Sequence, residues 1–286
     1  MFKKIFLYVQ YLLPQHFLSA VIGSLANCRW RWLKNGFIAF IVHTYHIDMS
    51  SALIEYPYSY STFNDFFTRP FKPTARPFQQ NSQHILSPVD GYLIQQGSIQ
   101  RNQLIQAKGK YFTLENLLGG DQQSAQLFEE GSYAIFYLAP HNYHRVYMPV
   151  SAQLTQHIFI PGKLFSVNRS TTTLIPNLFA RNERIVTLFD TALGPMSVIL
   201  VGALIVGSIE TVWEKNLRAS HITQKKFARE SAPKLHQGEE IGLFKMGSTV
   251  ILLFGKNKIT WKSQKKENPT VEMGQILGWA IPEQNI

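Results

Sequence analysis

At 286 residues, 45% of them hydrophobic and 13% aromatic, the chain is long enough for one large domain or two small ones and too apolar to be a disordered tail. Charged residues make up only 16%, against about 25% in an ordinary soluble domain, which points to contact with lipid or an apolar ligand. The net charge of +10 requires an anionic partner (nucleic acid, acidic lipid or a phosphate-bearing substrate), and a lone cysteine, Cys28, excludes a disulfide framework or a cysteine-built zinc site.

Residues 5–28 carry no Lys, Arg, Asp or Glu. A membrane-crossing helix needs roughly 20 mainly apolar residues, and here Gln10, Pro14, Gln15, His16 and Asn27 interrupt the run. Pro14 splits it into two short pieces. The spacing predicts two interfacial helices lying in the headgroup region, flanked by Lys3, Lys4, Arg29, Arg31, Lys34 and the rings of Trp30 and Trp32. A pair of buried core helices is the alternative. No small-residue cleavage pattern follows the first piece, so it does not read as a signal peptide. Helical spacing continues to 63–67, which gives a helical membrane-association region over 1–67. Residues 68–88 hold four prolines and many polar residues and read as a linker or an extended wrap.

From 89 to 286 the pattern changes. Short apolar runs at 133–138, 198–206 and 250–254 alternate with Gly, Pro and Asn, predicting a strand-rich core with short helical turns at 114–118 and 177–180. The uncharged stretch 191–209, punctuated by Gly194, Gly202 and Gly207, reads as two buried strands instead of a membrane span. Basic charge gathers at 215–266, where twelve Lys and Arg face three Glu; a solvated surface is the competing reading. The expected class is α+β: N-terminal membrane-associating helices followed by a β-rich catalytic core.

Four islands carry side chains fit for chemistry. SPVDGYL at 87–93 sets Asp90 in a turn before a strand, where Asp commonly bonds its own backbone. APHNYHRVYMP at 139–149 puts His141 and His144 three residues apart, with no acidic third ligand nearby, so no metal site is expected. Residues 160–191 mix apolar anchors with Ser166, Asn168, Asn177, Arg181, Asn182 and Arg184, a pattern suited either to a pocket that orients an amphipathic ligand or to a hydrogen-bonded loop on a sheet. GLFKMGSTVILLF at 242–254 sets Gly247, Ser248 and Thr249 ahead of an apolar strand, and the glycine lets the Ser248 hydroxyl turn toward the preceding carbonyl. Asp90, His144 and Ser248 supply an acid, a base and a hydroxyl, the makings of a nucleophile triad. A serine hydrolase or protease is one reading of that set, although no G-x-S-x-G elbow surrounds Ser248. A nucleic-acid-binding module is a second reading of the basic charge, but no binding motif accompanies it.

These residues, taken together, have a family likeness. The Asp90-Gly91 pair at a strand start, Y-H-R-V-x-M-P, F-S-V-N, N-L-F-A-R-N-E-R, V-G-x-x-x-V-G-S-I-E-T-V-W and G-S-T-V-I resemble the bacterial membrane-associated phosphatidylserine decarboxylases, from near Met1 to about Ala280. The resemblance implies a carboxy-lyase of phospholipid biosynthesis that makes phosphatidylethanolamine and CO2 through a Schiff base with a pyruvoyl (pyruvate-derived) group. It implies that Ser248 Oγ attacks the Gly247 carbonyl carbon and exchanges the peptide bond for an ester. Elimination then releases residues 1–247 and leaves the pyruvoyl group at the head of the 39-residue chain 248–286. Asp90 would orient a histidine, and His144 would act as base and proton donor. The implied partners are phosphatidylserine, an anionic membrane surface and the second fragment of the same chain, with room for a higher homo-oligomer and no nucleic acid. The implied location is peripheral, on the cytoplasmic face of the inner membrane. One position departs from the family pattern Y-H-x-x-H, whose second histidine is generally assigned as the self-cleavage base: Tyr147 stands there. Tyrosine, with a reference pKa near 10, is a poor base at neutral pH. His144 is therefore expected to serve both steps, His141 is a weaker candidate, and a processing-impaired homologue is the alternative.

Overall fold

The computed structural model describes residues 10–107, 109–204, 208–215, 219–245 and 247–282. Most of the first of the two N-terminal pieces lies outside the described residues. Pro14, with φ −72°, starts the helix Gln15–Ala26, and a second helix, Arg31–Tyr45, ends at His46 in the left-handed region (φ 50°). Among the described residues no helix is long and apolar enough to cross a membrane.

The second helix turns Ile38 and Lys34 inward. Ile38 packs with Ala26, Tyr60, Phe63, Phe66 and Phe67. The Lys34 ammonium donates to the carbonyls of Tyr58 (2.8 Å) and Tyr60 (2.6 Å), so a buried charge is matched by two acceptors. The short helix Phe63–Phe67 starts where Thr62 accepts the Asp65 N–H at 3.0 Å. The first helix and the residues before it are tied to the core through side chains: Gln15 Oε1 accepts the Leu164 N–H (2.7 Å), and Gln10, ahead of Pro14, accepts the Ser166 N–H through Oε1 (2.8 Å). Phe17, Trp30, Trp32 and Phe40 stay at least 64% exposed.

The rest is built on strands. In chain order they are β1 (His84–Leu86), β2 (Gly91–Ser98), β3 (Gln103–Ala107), β4 (Lys110–Thr113), β5 (Ser132–Leu138) and β6 (Arg145–Tyr147). Then come β7 (Ala152–Ile160), β8 (Arg184–Thr191), β9 (Gly194–Val201), β10 (Ile209–Thr211), β11 (Thr223–Lys226) and β12 (Lys234–Leu235). The last are β13 (Glu240–Phe244), β14 (Ser248–Phe254), β15 (Ile259–Trp261), β16 (Thr270–Val271) and β17 (Ile276–Ala280).

The main sheet runs β11-β7-β8-β9-β14-β5-β2-β16, with β12 also on β7. Strand β14 lies in the middle, antiparallel to β9 on one side and β5 on the other, and all seven of its residues are buried. Its side chains alternate between two cores. Val250, Leu252 and Phe254 pack with Phe136, Leu138, Val146, Ile241 and Phe244. Ile251 and Leu253 pack with Leu114, Leu117, Phe128 and Phe179 on the other face. The first face is covered by the small sheets β10-β13-β6 and β1-β17-β15. The second is covered by short helices, among them Leu114–Leu117 and Leu178–Arg181. A sheet buried on both faces explains why β14 reads as an unbroken apolar run.

The class is α+β, as expected, with two differences in detail. Residues 68–88 are not a linker throughout: His84–Leu86 forms β1, and Ile85 and Leu86 are buried in the core. Two apolar residues among polar neighbours give too short a pattern to read. Of the uncharged stretch 191–209, the strand at 194–201 is present, but the second strand is only Ile209–Thr211, and residues 205–207 lie outside the described residues. The exposed lysines Lys225 and Lys226 lie on β11, at one end of the sheet order, where charge guards an unpaired edge.

Gly91, the first residue of β2, is a packing requirement. A Cβ there would sit 2.5 Å from the Tyr137 carbonyl oxygen of β5. Gly91→Ala is expected to lower stability by about 1–3 kcal/mol, read as a fall in the thermal midpoint of the purified protein.

Candidate active site

Ser248 opens β14 opposite Leu138 of β5. It is fully buried, and its Oγ has no hydrogen-bond partner. Strand alternation puts Ser248 on the same face as Val250 and Leu252, the face covered by β6 and β13. Gly247, just before it, has open space where a Cβ would project.

His144 precedes β6. Its backbone carbonyl accepts the Phe244 N–H at 2.9 Å, and β6 and β13 pair beyond that point. Since β13 runs toward Gly247 and Ser248, this pairing holds His144 against the segment that leads to the serine. The imidazole is fully buried, with Phe67 stacked on it at a centroid distance of 4.1 Å. Its Nε2 lies 3.1 Å from the Ala139 carbonyl oxygen. A carbonyl can only accept, so Nε2 carries the proton and Nδ1 holds the lone pair. That Nδ1 is buried without a partner. Burial, aided by the nearby Arg69 charge, pushes the imidazole pKa down to about 3. At neutral pH this ring is an unprotonated base.

Asp90 ends the turn before β2, as the sequence indicates, but it does not bond to His144. Its carboxylate accepts from Arg76, through Nε at 3.1 Å and Nη2 at 2.6 Å, and from the Met273 N–H at 2.8 Å. Asp90, His144 and Ser248 share one end of the sheet without forming a hydrogen-bonded relay. The serine hydrolase reading therefore finds no geometric support.

The Asp90–Arg76 pair starts a stack that ends at position 147. The Arg76 guanidinium lies over Phe71 at 5.0 Å. Phe71 stacks on Tyr143 with centroids 3.8 Å apart and planes at 10°. The Tyr143 and Tyr147 hydroxyls are hydrogen-bonded at 2.8 Å. Burial and the neighbouring Tyr143 push the Tyr147 phenol above its ordinary pKa, so it stays protonated. His141 is half-buried beside Tyr45 and Tyr92, and burial lowers its pKa.

Two cavities open at this end. One of about 310 Å³ is lined by Arg69, Arg76, Asp90, Tyr92 and His141, under the end of the second N-terminal helix at Tyr45. The other, about 470 Å³, is lined by Tyr92, Tyr137, Gln106, Val167, Arg169 and Thr172. Tyr92 borders both, and Tyr137 pairs with Thr249, next to Ser248.

Most polar residues of 160–191 build the loop instead of a pocket. Asn168 caps the helix Arg169–Leu174 by accepting the Thr171 N–H. Asn182 donates to the carbonyls of Phe165 and Gly202, and Arg184 to those of Leu117, Asn116 and Asn182. Arg181 lies over the Phe165 ring. Sequence reasoning missed Arg69, Arg76, Phe67 and Tyr143; the first two sit in the proline-rich segment, with no pattern to single them out.

Known proteins share this sequence over almost its whole length. A family model described as phosphatidylserine decarboxylase matches residues 63–278, and a second, described as PSD, matches 5–46. A phosphatidylserine decarboxylase proenzyme of Pseudomonas fluorescens is 46% identical over 279 residues, covering 96% of this chain and 98% of the relative. The protein of the same description from Azotobacter vinelandii is 47% identical over 281 residues, covering 97% and 98%. That from Bordetella avium is 46% identical over 286 residues, covering 99% and 96%. With the buried serine at the head of a central strand and likeness at this level from end to end, the chain belongs to the phosphatidylserine decarboxylase family.

Proposed function

We propose that this chain is a proenzyme that cuts itself between Gly247 and Ser248 and then decarboxylates phosphatidylserine to phosphatidylethanolamine and CO2. The observation that carries the reading is a pair of buried atoms without partners: Ser248 Oγ at the head of β14, and Nδ1 of His144, whose backbone is hydrogen-bonded to Phe244 on the segment that leads to that serine. Leaving such a group unsatisfied costs about 1–3 kcal/mol each, and an uncommitted hydroxyl and an open imidazole lone pair are what a nucleophile and its base require. The proenzyme descriptions of the relatives support it.

In the first stage, His144 Nδ1 takes the Ser248 proton and Oγ bonds to the Gly247 carbonyl carbon. The peptide C–N bond breaks, its nitrogen gains the proton, and an ester joins the two segments. Removal of the Ser248 α-proton expels the Gly247 carboxylate, and hydrolysis of the remaining nitrogen as ammonia leaves a pyruvoyl group. The residues present fit that group: Gly247 crowds nothing, and Ser248 is held by its partner Leu138 on β5, with the pairing to β9 starting at the next residue, Thr249. A pyruvoyl ketone supplies the electron sink that decarboxylation beside an amine needs. His144 then returns a proton to the carbon that lost CO2. Asp90 fixes Arg76 and the ring stack behind it, and Tyr147, kept as a phenol, is not the base.

The exposed Phe17, Trp30, Trp32 and Phe40 on short helices, with Arg29 and Arg31 beside them, suit a peripheral protein on the cytoplasmic face of the inner membrane. The substrate is itself an anionic lipid of that surface.

Three outcomes are expected. Intact-mass measurement of the purified protein yields two chains, the smaller comprising residues 248–286. His144→Ala leaves one uncut chain, while Tyr147→Phe is still cut; a single-chain protein that evolves CO2 from phosphatidylserine contradicts the reading. The second concerns pH. His144 has a folded pKa far below its unfolded value near 6.5. The unfolded state therefore binds more protons between those values, and the stability from a neutral His144 is complete above 6.5 and lost as pH falls toward 3. The slope is about 1.4 kcal/mol per pH unit, and it is expected to be missing from His144→Gln in denaturant titrations. Third, removing residues 1–35 is expected to abolish sedimentation with phosphatidylglycerol vesicles.

A further inference from the structure

Arg69 is a buried cation that, beyond its effect on the His144 ring, takes no part in the steps of the proposed reaction. Its residue is 2% exposed, and it lines the 310 Å³ cavity. Its Nε has no hydrogen-bond partner, and Nη1 reaches only the Phe66 carbonyl at a long 3.4 Å. Among the described residues it makes no ion pair: Asp90, the carboxylate whose charge it feels, is bonded to Arg76. A desolvated guanidinium is costly to bury; Lys34 and Arg184 meet that cost with two and three carbonyls, whereas Arg69 has the Phe66 ring at 5.3 Å and one long bond, which leaves donors for an anion. The other acids at this cavity are poor candidates. Asp48 is exposed and bonded to Ser50, and the Glu272 side chain is 68% exposed and directed to Arg76.

The cavity adjoins the reaction centre. Gly91 in its wall lies against the Tyr137 carbonyl, one residue from Leu138, the strand partner of Ser248. His141 in the same wall is three residues from His144.

We propose that Arg69 binds the phosphodiester of the substrate lipid, acting as a binding residue that positions the amine at Ser248; this rests on the decarboxylase reading. The substrate offers two anions, the phosphodiester and the α-carboxylate. The carboxylate loses its charge as CO2 departs, so a strong contact to it would favour the ground state over the transition state and slow the reaction. The phosphodiester keeps its charge throughout. A guanidinium on the phosphodiester tightens binding equally in both states and is compatible with turnover. Arginine's fork also matches phosphate oxygens in pairs.

The test uses the purified full-length protein and two soluble probes. Glycerophosphoethanolamine has the phosphodiester and amine without the carboxylate; L-serine has the amine and carboxylate without the phosphate. Calorimetry is expected to show wild-type protein binding glycerophosphoethanolamine more tightly than inorganic phosphate. Arg69→Gln weakens that binding at least 10-fold, and Arg69→Lys, which keeps the charge but loses the fork, weakens it by a smaller factor. Capture of L-serine by borohydride reduction, followed by mass, is expected to be the same in all three. With phosphatidylserine as substrate, Arg69→Lys raises KM and leaves kcat nearly unchanged. Loss of L-serine capture with glycerophosphoethanolamine binding retained overturns the assignment in favour of the carboxylate. Unchanged binding in both variants, or none by the wild type, also overturns it. If Arg69→Gln melts early, Arg69→Lys decides alone. A wild-type chain that binds glycerophosphoethanolamine yet stays uncut sinks the decarboxylase reading and leaves the anion site standing; a cut chain that does not bind it does the reverse.

Discussion

The withdrawal of water from the head of β14 is the constraint on which the rest of the structure depends. In bulk water the Ser248 hydroxyl and the His144 imidazole would each be satisfied by solvent, and the ring would be partly protonated near neutrality. Here the hydroxyl opens a strand with neighbours on both sides and cores on both faces. The ring is sealed by Phe67 and tied to one carbonyl. The apolar core thus sets the chemistry, keeping a base neutral and a hydroxyl uncommitted. The penalty of about 1–3 kcal/mol for each orphaned group is offset by the strand's own pairing and packing.

The polar groups around that centre fall into two sets. Arg184, Asn182, Asn168 and Lys34 spend their hydrogen bonds on carbonyls and amides, and so fix loops. Asp90 and Arg76 belong with them in effect, because their ion pair anchors a row of rings that ends at the Tyr143–Tyr147 hydroxyl pair. That row fills the position where the family pattern has a second histidine with groups that do not take up a proton at neutral pH. His144 is then the buried imidazole at this end of the sheet whose lone pair is left open; His157, also buried with a free ring nitrogen, lies on β7 and is bonded to Glu214.

Features written in local periodicity or in a continuous apolar run were legible in the sequence. The run 250–254 marked β14, FNDFF marked the helix Phe63–Phe67, and the short turns near 114 and 178 proved helical. Asp90, His144 and Ser248 stood out because Asp, His and Ser in turn and strand-start contexts are few. What could not be read was partnership. Arg76 meets Asp90 across 14 residues of proline-rich chain, and Arg145 meets Glu240 across 95. The three-residue strands β6 and β10 are too short for any alternation to register. Ile85 was hidden for the same reason, and the polar island at 160–191 looked like ligand chemistry because capping and loop-fixing residues are the same residue types as binding residues.

The place of the Gly247–Ser248 bond within the sheet has a mechanical consequence. The bond sits at the very start of the central strand, so a break there removes a connection and leaves in place the rungs from Thr249 to Phe254, to β5 and to β9. The 39-residue piece would still carry β14, the middle rail of the sheet, as well as β16 alongside β2 and β17 alongside β1. Pulling it free would mean tearing out both cores at once, so the two halves of a severed molecule would be bound as firmly as the protein is folded. Such a piece would neither drift away nor swap with its counterpart in a neighbouring molecule, and each copy would keep for its lifetime the reactive end it had made.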